Sequence, residues 1–523
     1  MNWTILLEPL KSLMTEQPSP PADGYPVILS ADRTSMADYG ALFGGMVSAS
    51  QTTTTPSVLH NSVLAPPVAS EGLRAVKAPL GLRRIEAALC TDGFAPENVA
   101  VVRPRDLERA TGPATRIIGL ASGDPLGVGM NSSTMEAVAG GTIATRRRFR
   151  DLAREVDGIK SRVPNARVVV GGPGAWQLVG DDEARAELGI DHVISGPCEA
   201  NVAEIFRRIM DNPDAPVCFE GVSPDAADIP RIRGATVMGS VEVSRGCGLG
   251  CRFCTLRGVP MDHLPMKTIL SDVRRNLDAG VRSISLITED IFRYGSVENS
   301  VRPSELIGLL RRLRRLDGLS MIQTDHANIG SVAEFSTDQL REVRRLLAGE
   351  PDGAEVVWLN LGVETAVGEL LARNGGRAKM VNCDPDRWGE HCMEQVLRLE
   401  RAGFFPLVSL VLGMPGETAD GVRQTLEWVR QLEGHKAAVF PVFYAPVNGR
   451  DTAFTREDMI DLHWKLFRTC YRLNFRWVPR ICWDNQGQAG VGFPRRLAMQ
   501  AMTRAGKFWW KSLFVWRSGR LFA

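Results

Sequence analysis

The sequence predicts an α/β protein in which an N-terminal doubly wound sheet is followed by a partial (β/α)6 barrel and a small helical C-terminal region. Two observations predict this fold. Apolar runs of strand length alternate with amphipathic segments of helix length over residues 76–450, which is typical of parallel strands joined by crossover helices. The alternation is interrupted at 211–237, where prolines and acidic residues predict a linker between two units.

The first alternating series covers residues 76–210 and predicts the doubly wound sheet. The preceding residues, 1–75, are rich in Ser, Thr, Ala and Pro, and they predict an irregular segment or a part of this first domain. The predicted elements are, in order, helix GLRRIEAALCTDG, strands NVAVV and PATRIIGLAS, helix TRRRFRDLAREVDGIKSRV, strand ARVVVGGPGA, helix DDEARAELGI, strand DHVISG and helix ANVAEIFRRIM.

The second series covers residues 238–450 and predicts about six β/α units, fewer than the eight of a closed barrel. Functional groups are expected at the carboxyl ends of these strands. Residues 451–523 form the C-terminal region. The predicted strands are TVMGSVEVS, SISLITED, LSMIQTDH, EVVWLNLGVET, FFPLVSLVLGMPGET and AAVFPVFYAPV.

Composition indicates an ordinary soluble globular protein. The chain of 523 residues is 44% hydrophobic and 23% charged, and its net charge of +2 gives no reason to expect a nucleic-acid partner. Its ten cysteines do not form a disulfide framework, the N-terminus is a poor secretory signal because Glu8 interrupts its apolar part, and no apolar run reaches the roughly 18 residues of a membrane span. These features predict a cytoplasmic protein.

Three cysteines lie close together on a glycine-rich loop after the first barrel strand. Cys247, Cys251 and Cys254 have the spacing C-x3-C-x2-C, and three thiolates on one loop converge on a single centre only at a metal or cluster. Chance spacing is one alternative, and a structural zinc site with His263 as its fourth ligand is another. The third is a [4Fe–4S] cluster with three protein ligands and one open iron, around which the loop glycines let the backbone wrap.

The cysteine motif, with Phe253 directly before the last cysteine, resembles that of the radical S-adenosylmethionine (SAM) enzymes. The resemblance covers about residues 238–450. It implies that SAM binds the open iron and that one electron, from a donor such as flavodoxin or ferredoxin, cleaves SAM to a deoxyadenosyl radical. It also implies a cofactor-binding role for residues at later strand ends, although an acid there is commonly a helix cap and Gly-Met-Pro-Gly can be only a tight turn. These residues are Glu289, Asp290, Glu364, Gly413 and Met414.

The N-terminal unit resembles the cobalamin-binding domain that precedes the barrel in one subgroup of these enzymes. The alternative is a Rossmann-like domain that holds nothing or holds another nucleotide. The histidine of the subgroup's common Asp-x-His-x-x-Gly turn is absent from 122–129, and His192 does not match it. The positions that carry the resemblance follow three successive strands: Gly123, Asp124, Pro125 and Leu126; Gly171 and Gly172; and Gly196 and Glu199.

Together these resemblances imply a cobalamin-dependent radical SAM enzyme, a methyltransferase that acts on an unactivated carbon of a small-molecule or lipid-like substrate through a deoxyadenosyl radical and methylcobalamin. A radical cyclase or rearrangement enzyme without methyl transfer is the first alternative. An iron–sulfur or zinc redox module that does not use SAM is the second. The sequence indicates neither the substrate nor the catalytic residues.

The C-terminal tail is basic and aromatic. No acidic residue follows Asp484, whereas the last 39 positions contain seven Lys or Arg and the segment KFWWKSLFVWRSGRLFA. Such a stretch is typical of peripheral contact with an anionic membrane. The alternative is a helical cap on the barrel, with its aromatic residues inward and its arginines outward.

Overall fold

The computed structural model describes residues 21–297, 300–349, 353–447 and 451–518. In this part of the chain, the N-terminal unit contains a six-stranded parallel sheet in the order β2-β1-β3-β4-β5-β6. The strand order therefore reverses between β1 and β3, and this is the topological switch point of the sheet. The strands are β1 (Val27–Ala31), β2 (Val99–Val101), β3 (Ile117–Ala121), β4 (Arg167–Gly171), β5 (His192–Ser195) and β6 (Cys218–Glu220).

Two strands of this sheet lie where the sequence predicts irregular chain. The five residues of β1 are all buried in the middle of the sheet, so this part of the segment 1–75 belongs to the first domain. Strand β6 extends the sheet from within the stretch 211–237, which is therefore not only a linker. Both strands are short and flanked by proline, so neither shows the alternation that identifies a strand.

Helices cover both faces of the sheet because each presents one apolar stripe. Helix α4 buries Phe149, Leu152, Ala153 and Val156 at helical spacing, while its charged residues lie outward. Helix α6 buries Phe206 in the separate core on the opposite face. The helices of this unit are α1 (Leu42–Ala49), α2 (Leu80–Thr91), α3 (Met130–Ala139), α4 (Ala144–Lys160), α5 (Asp182–Glu187) and α6 (Val202–Asp211), with short turns at Ser57–Leu59, His60–Leu64, Leu107–Ala110 and Trp176–Val179.

The second unit is an open barrel of parallel strands, with the six units that the sequence predicts. The first three strands form one sheet, and the bridge His326–Ala327 joins the last three in another. Its strands are β7 (Ser240–Glu242), β8 (Ser283–Ile287), β9 (Met321–Thr324), β10 (Val357–Glu364), β11 (Phe404–Leu412) and β12 (Ala438–Phe443); its helices are α7 (Met266–Asp278), α8 (Pro303–Leu313), α9 (Thr337–Ala348), α10 (Trp388–Arg401) and α11 (Ala419–Arg430), with shorter ones at Ile329–Ala333 and Gly368–Arg373.

Two long C-terminal helices, α12 (Asp461–Gln488) and α13 (Phe493–Ser518), complete the fold. Helix α12 covers the free edge of β12, where the Asn474 amide accepts from the Val439 N–H and donates to the Val439 carbonyl, both at 2.8 Å. A side chain thus replaces a missing neighbour strand, which protects the edge from pairing with another chain. Among the described helices, none combines the length and apolarity needed to cross a bilayer.

Helix α1 lies between the two units and fills the floor of the barrel. The Phe43 ring packs edge-on against Trp358 at 5.5 Å, and the Leu42 N–H donates to the Gln323 side chain at 3.2 Å. This apolar cluster also includes Phe405 and Trp477. The opposite, carboxyl end of the barrel carries the cysteine loop.

Candidate functional site

The three cysteines lie on a loop that follows β7 and is held at its base. Ser244–Arg245 pairs antiparallel with Asp262–His263 and closes the loop. Gly246 has a φ of +74°, and a Cβ there would lie 2.1 Å from the Pro260 carbonyl oxygen, so only glycine fits. Phe253 is buried in the barrel core and anchors the loop from beneath.

The cysteine thiols lie in a protected environment with backbone donors. Burial raises the pKa of all three thiols, and their mutual repulsion as thiolates adds to this effect for Cys251 and Cys254. The Leu249 N–H lies 3.5 Å from the Cys247 sulfur and the Leu256 N–H 3.4 Å from the Cys254 sulfur. Three thiols with backbone N–H groups directed at two of them are a donor set that fits an iron–sulfur cluster.

A compact single-ion site is not seen among the residues described. No three His, Cys, Asp or Glu side chains there approach one another as the ligands of one metal ion do. His263, the candidate fourth ligand of a zinc site, places its Nε2 3.4 Å from the Ser296 hydroxyl and packs against the Tyr294 ring at 5.6 Å.

A buried ion pair lies beside the cysteine loop. Glu364 ends β10 after a bulge and has a φ of +65°, a strained conformation for a residue with a side chain. Its carboxylate pairs with the Lys379 ammonium, and both side chains are at most 9% exposed. Burial by itself lowers the pKa of Lys379, but the charges of Glu364 and Cys251 outweigh it and raise this pKa above its ordinary value.

The segment that carries Lys379 also packs directly on the cysteine loop. The Arg252 N–H donates to the Asn374 carbonyl at 3.0 Å, and a Cβ on Gly375 would lie 2.2 Å from the Gly250 carbonyl oxygen. The sequence gives no signal for Lys379, because nothing in its surroundings (NGGRAKM) indicates that the chain returns to the cysteines.

The two acids after β8 have different surroundings. Glu289 is half-buried, and its charge raises the pKa of Cys247 and Cys254, so it lies near the cysteines. Asp290 is fully buried, and its carboxylate accepts from the Asn328 side chain at 3.1 Å, from Ser331 and from the Phe292 N–H at 3.3 Å. The Asp290 carboxylate thus caps the turn Ile291–Arg293 and joins two strand ends, and its cofactor-binding role stays a prediction.

The glycine turn after β11 is held by the C-terminal region. The Gly413 N–H donates to the Glu417 carboxylate at 2.8 Å, and the same oxygen lies 3.0 Å from His463 Nε2 at the start of α12. Gly413 has a φ of +76°, and a Cβ there would overlap the Phe454 ring. Met414 is buried in the barrel core.

The carboxyl edge of the first sheet presents the other predicted positions around open space. A Cβ added to Gly123 would meet no atom within 4 Å, and Cβ atoms on Gly171 and Gly196 would meet only one carbonyl oxygen each, at 3.9 Å. Gly172 differs, because a Cβ there would lie 3.1 Å from the Ser122 carbonyl oxygen, and its φ of +93° also favours glycine, as does the φ of +86° at Gly196. The edge can therefore receive a flat ligand against bare backbone.

Side chains around this edge hold its loops in shape. Asp124 accepts from the Gln177 amide at 2.7 Å, and the Gln177 oxygen accepts from the Leu126 N–H at 2.9 Å, next to the buried Pro125. After β1, the buried Asp32 accepts from the Thr34 N–H and the Ser35 hydroxyl, each at 2.8 Å, and burial raises the pKa of Asp32. Sequence analysis missed Asp32 and Gln177; the apolar run VILSA before Asp32 is the signal that could have found the first of them.

Glu199 joins the sheet edge to the cysteine loop. Both of its carboxylate oxygens accept from the Arg245 guanidinium, at 2.8 and 3.3 Å, and Arg245 also binds Glu242 at 2.8 Å. Arg245 is two residues before Cys247. The carboxyl ends of the first sheet and of the barrel therefore face each other across one ion pair, and Glu199 is engaged within the protein.

Comparison with known proteins agrees with this geometry. Residues 241–429 match the model of the Radical SAM superfamily. The ribosomal protein uS12 methylthiotransferase RimO of Trichlorobacter lovleyi is 26% identical over 48% of this chain and 53% of its own length. The tRNA-2-methylthio-N(6)-dimethylallyladenosine synthase of Halorhodospira halophila is 25% identical over 43% of this chain and 44% of its own length. The chain thus spans about half the length of these curated relatives.

Solved structures resemble the chain beyond the barrel. Two structures of the radical SAM methyltransferase TsrM from Kitasatospora setae align with it at TM-scores of 0.51 and 0.55, with 14% and 13% sequence identity. The first covers 81% of this chain and 74% of TsrM, and the second 92% and 99%. Residues 241–429 therefore form a radical SAM domain, whose cofactors are a [4Fe–4S] cluster and SAM, within a chain whose fold is similar to that of TsrM.

Proposed function

We propose that this protein is a cobalamin-dependent radical SAM methyltransferase that acts on an unactivated carbon. The observation that carries the proposal is the Glu199–Arg245 ion pair, which brings the edge of the doubly wound sheet to the cysteine loop. The two units also meet where the Phe443 N–H of β12 donates to the Thr134 hydroxyl of α3 at 2.7 Å. One of the TsrM structures contains cobalamin and a [4Fe–4S] cluster.

The geometry supports the following assignment of residues. Cys247, Cys251 and Cys254 would hold the cluster, with Glu289 and the Glu364–Lys379 pair beside it. The open backbone at Gly123, Gly171 and Gly196, at the switch-point edge, would receive the corrin. Cobalamin would supply a methyl group to a carbon that has no nucleophilic electron pair, and an electron donor such as flavodoxin or ferredoxin would reduce the cluster.

The role of the protein is then to hold two cofactors and one carbon together and to exclude water. Arg245 and Glu199 fix the separation between the units, and Asp124 with Gln177 fixes the loop after β3. Orientation of this kind provides a large part of the rate enhancement in reactions between bound partners. We propose a small-molecule or lipid-like substrate, and docking of the basic aromatic tail on a membrane would favour the lipid-like one.

Isotopic labelling tests the transferred group. The full chain, reconstituted anaerobically with iron, sulfide and hydroxocobalamin, is incubated with deuterated-methyl SAM, a reductant and extract of the native organism. We expect a product that has gained the labelled methyl group on carbon, together with 5′-deoxyadenosine. A product that gains sulfur with the methyl group would instead assign methylthio transfer, the activity named for the sequence relatives. Deoxyadenosine without any labelled product would favour cyclisation or rearrangement.

A matched pair of glycine variants tests the corrin site. We expect Gly123→Leu to lose most of the bound corrin, at least tenfold, because its side chain fills the space in front of β3, while the iron content stays unchanged. Gly81→Leu on the outer helix α2 is the control, since a Cβ there also meets no atom within 4 Å. Corrin absorbance and iron are measured after gel filtration. Equal corrin retention by the two variants would contradict this site.

A further inference from the structure

Helix α13 exposes an apolar stripe that nothing in the described structure covers. Its inner face is docked: Met499 is buried, Trp510 packs on Tyr471 at 4.8 Å between ring centres, and Arg495 donates to the Val63 carbonyl at 2.9 Å. Its outer face carries large apolar side chains that are 41–69% exposed. They are Phe493, Leu497, Phe508 and Trp509.

These side chains share one face of the helix. They fall on a row at intervals of about four residues, and Ala501 and Ala505 occupy the intervening exposed positions. The row extends for roughly 24 Å at the rise of an α-helix. Among the described residues, the Phe and Trp side chains that are more than a third exposed all lie on this helix, so the stripe is a local feature and not a general property of the surface.

The charge beside the stripe has one sign. Arg504 and Lys511 are exposed and Lys507 is half-buried beside Phe508, and none of residues 485–523 is acidic. A second copy of this helix would bring like charges together, which disfavours self-association through this face. An anionic surface with an apolar interior attracts the cations electrostatically and also buries the aromatic side chains of the row.

We propose that the outer face of α13 is a peripheral docking surface for an anionic lipid bilayer, on which the helix lies parallel to the membrane plane. The aromatic side chains enter the boundary between head groups and acyl chains, and the flanking cations remain at the phosphate level. RNA is the other polyanion that a basic aromatic helix could contact, through its phosphates and by base stacking, but Leu497 and the alanines of the row fit an acyl boundary and offer RNA neither contact.

Vesicle sedimentation with the full-length reconstituted protein tests this surface. We expect binding to vesicles of phosphatidylcholine with phosphatidylglycerol and much weaker binding to phosphatidylcholine alone. Phe508→Ser/Trp509→Ser should lower the partition coefficient by about tenfold or more, because it removes most of the aromatic area. Arg504→Ser/Lys507→Ser/Lys511→Ser should lower it by about a hundredfold on anionic vesicles, and added salt should weaken wild-type binding.

The control is Val179→Ser, which removes an exposed apolar side chain from the first domain and should bind as wild type does. Iron content checks that every variant is folded. Three results would overturn the proposal: no binding to anionic vesicles, a wild-type dimer that Phe508→Ser/Trp509→Ser dissociates, or displacement of the protein from vesicles by transfer RNA together with saturable RNA binding that needs Trp509.

Discussion

We expect the Cys251→Ala variant to form no detectable 5′-deoxyadenosine from SAM. Its sulfur is the most buried of the three and lies between the other two in sequence, and two thiolates do not hold a cluster that needs three. The variant should also lose the visible iron–sulfur absorbance and most of its iron after anaerobic reconstitution. Deoxyadenosine is measured by chromatography after addition of SAM and a reductant.

Cys383→Ala is the matched control for this experiment. Cys383 is a half-buried thiol on the segment that follows Lys379, and its sulfur donates to the neighbouring Asp384 carbonyl at 3.3 Å. This variant should keep its iron and its activity. Wild-type deoxyadenosine formation by Cys251→Ala would refute the cysteine loop as the cluster site.

The second large effect is expected from Lys379→Met. This substitution leaves the Glu364 carboxylate buried without its partner, and a buried charge without a partner costs about 3–5 kcal/mol of folding free energy. The double variant Lys379→Met/Glu364→Gln should recover much of that stability, because it buries no net charge. It should not recover SAM cleavage, since both charged groups beside the cysteines are then absent. The midpoint of urea unfolding and deoxyadenosine formation measure the two effects separately.

A surface ion pair provides the comparison. Arg423 and Asp420 form a pair in which both side chains are more than half exposed, so Arg423→Met should change the free energy of unfolding by less than about 1 kcal/mol. If Lys379→Met is no less stable than Arg423→Met, then the Glu364–Lys379 pair is not buried in solution as it is here.

Much of the fold follows from the hydrophobic pattern. The hydrophobic pattern identifies the long strands and the amphipathic helices, because each contains enough buried apolar residues at regular spacing. Examples are strands β10 and β11 and helices α4 and α9. The start of helix α9 is also recognisable in the sequence, because Ser336 and Gln339 form a capping box. Strands β1 and β6 were missed because they lie beside prolines and outside the alternating series that identified the equally short β2 and β5.

The site was predictable where one short segment defines it and not where distant segments meet. The three cysteines lie within eight consecutive residues, so their spacing can be recognised directly in the sequence. The roles of Asp290 and Glu199 depend on partners 38–41 and 46 residues away, Asn328 with Ser331 and Arg245, which decide whether a carboxylate is free for a ligand. Lys379 reaches the cysteines through a return of the chain that no local pattern encodes.

The position of α1 under the barrel has a consequence for how the chain reaches its native state. This helix is synthesised early, but its neighbours Trp358, Phe405 and Trp477 emerge from the ribosome more than three hundred residues later. Until then its apolar face has no permanent cover, so folding depends on long-range encounters that are slow and prone to aggregation. The barrel excised without residues 42–64 would expose this apolar floor, so we expect it to fold poorly on its own.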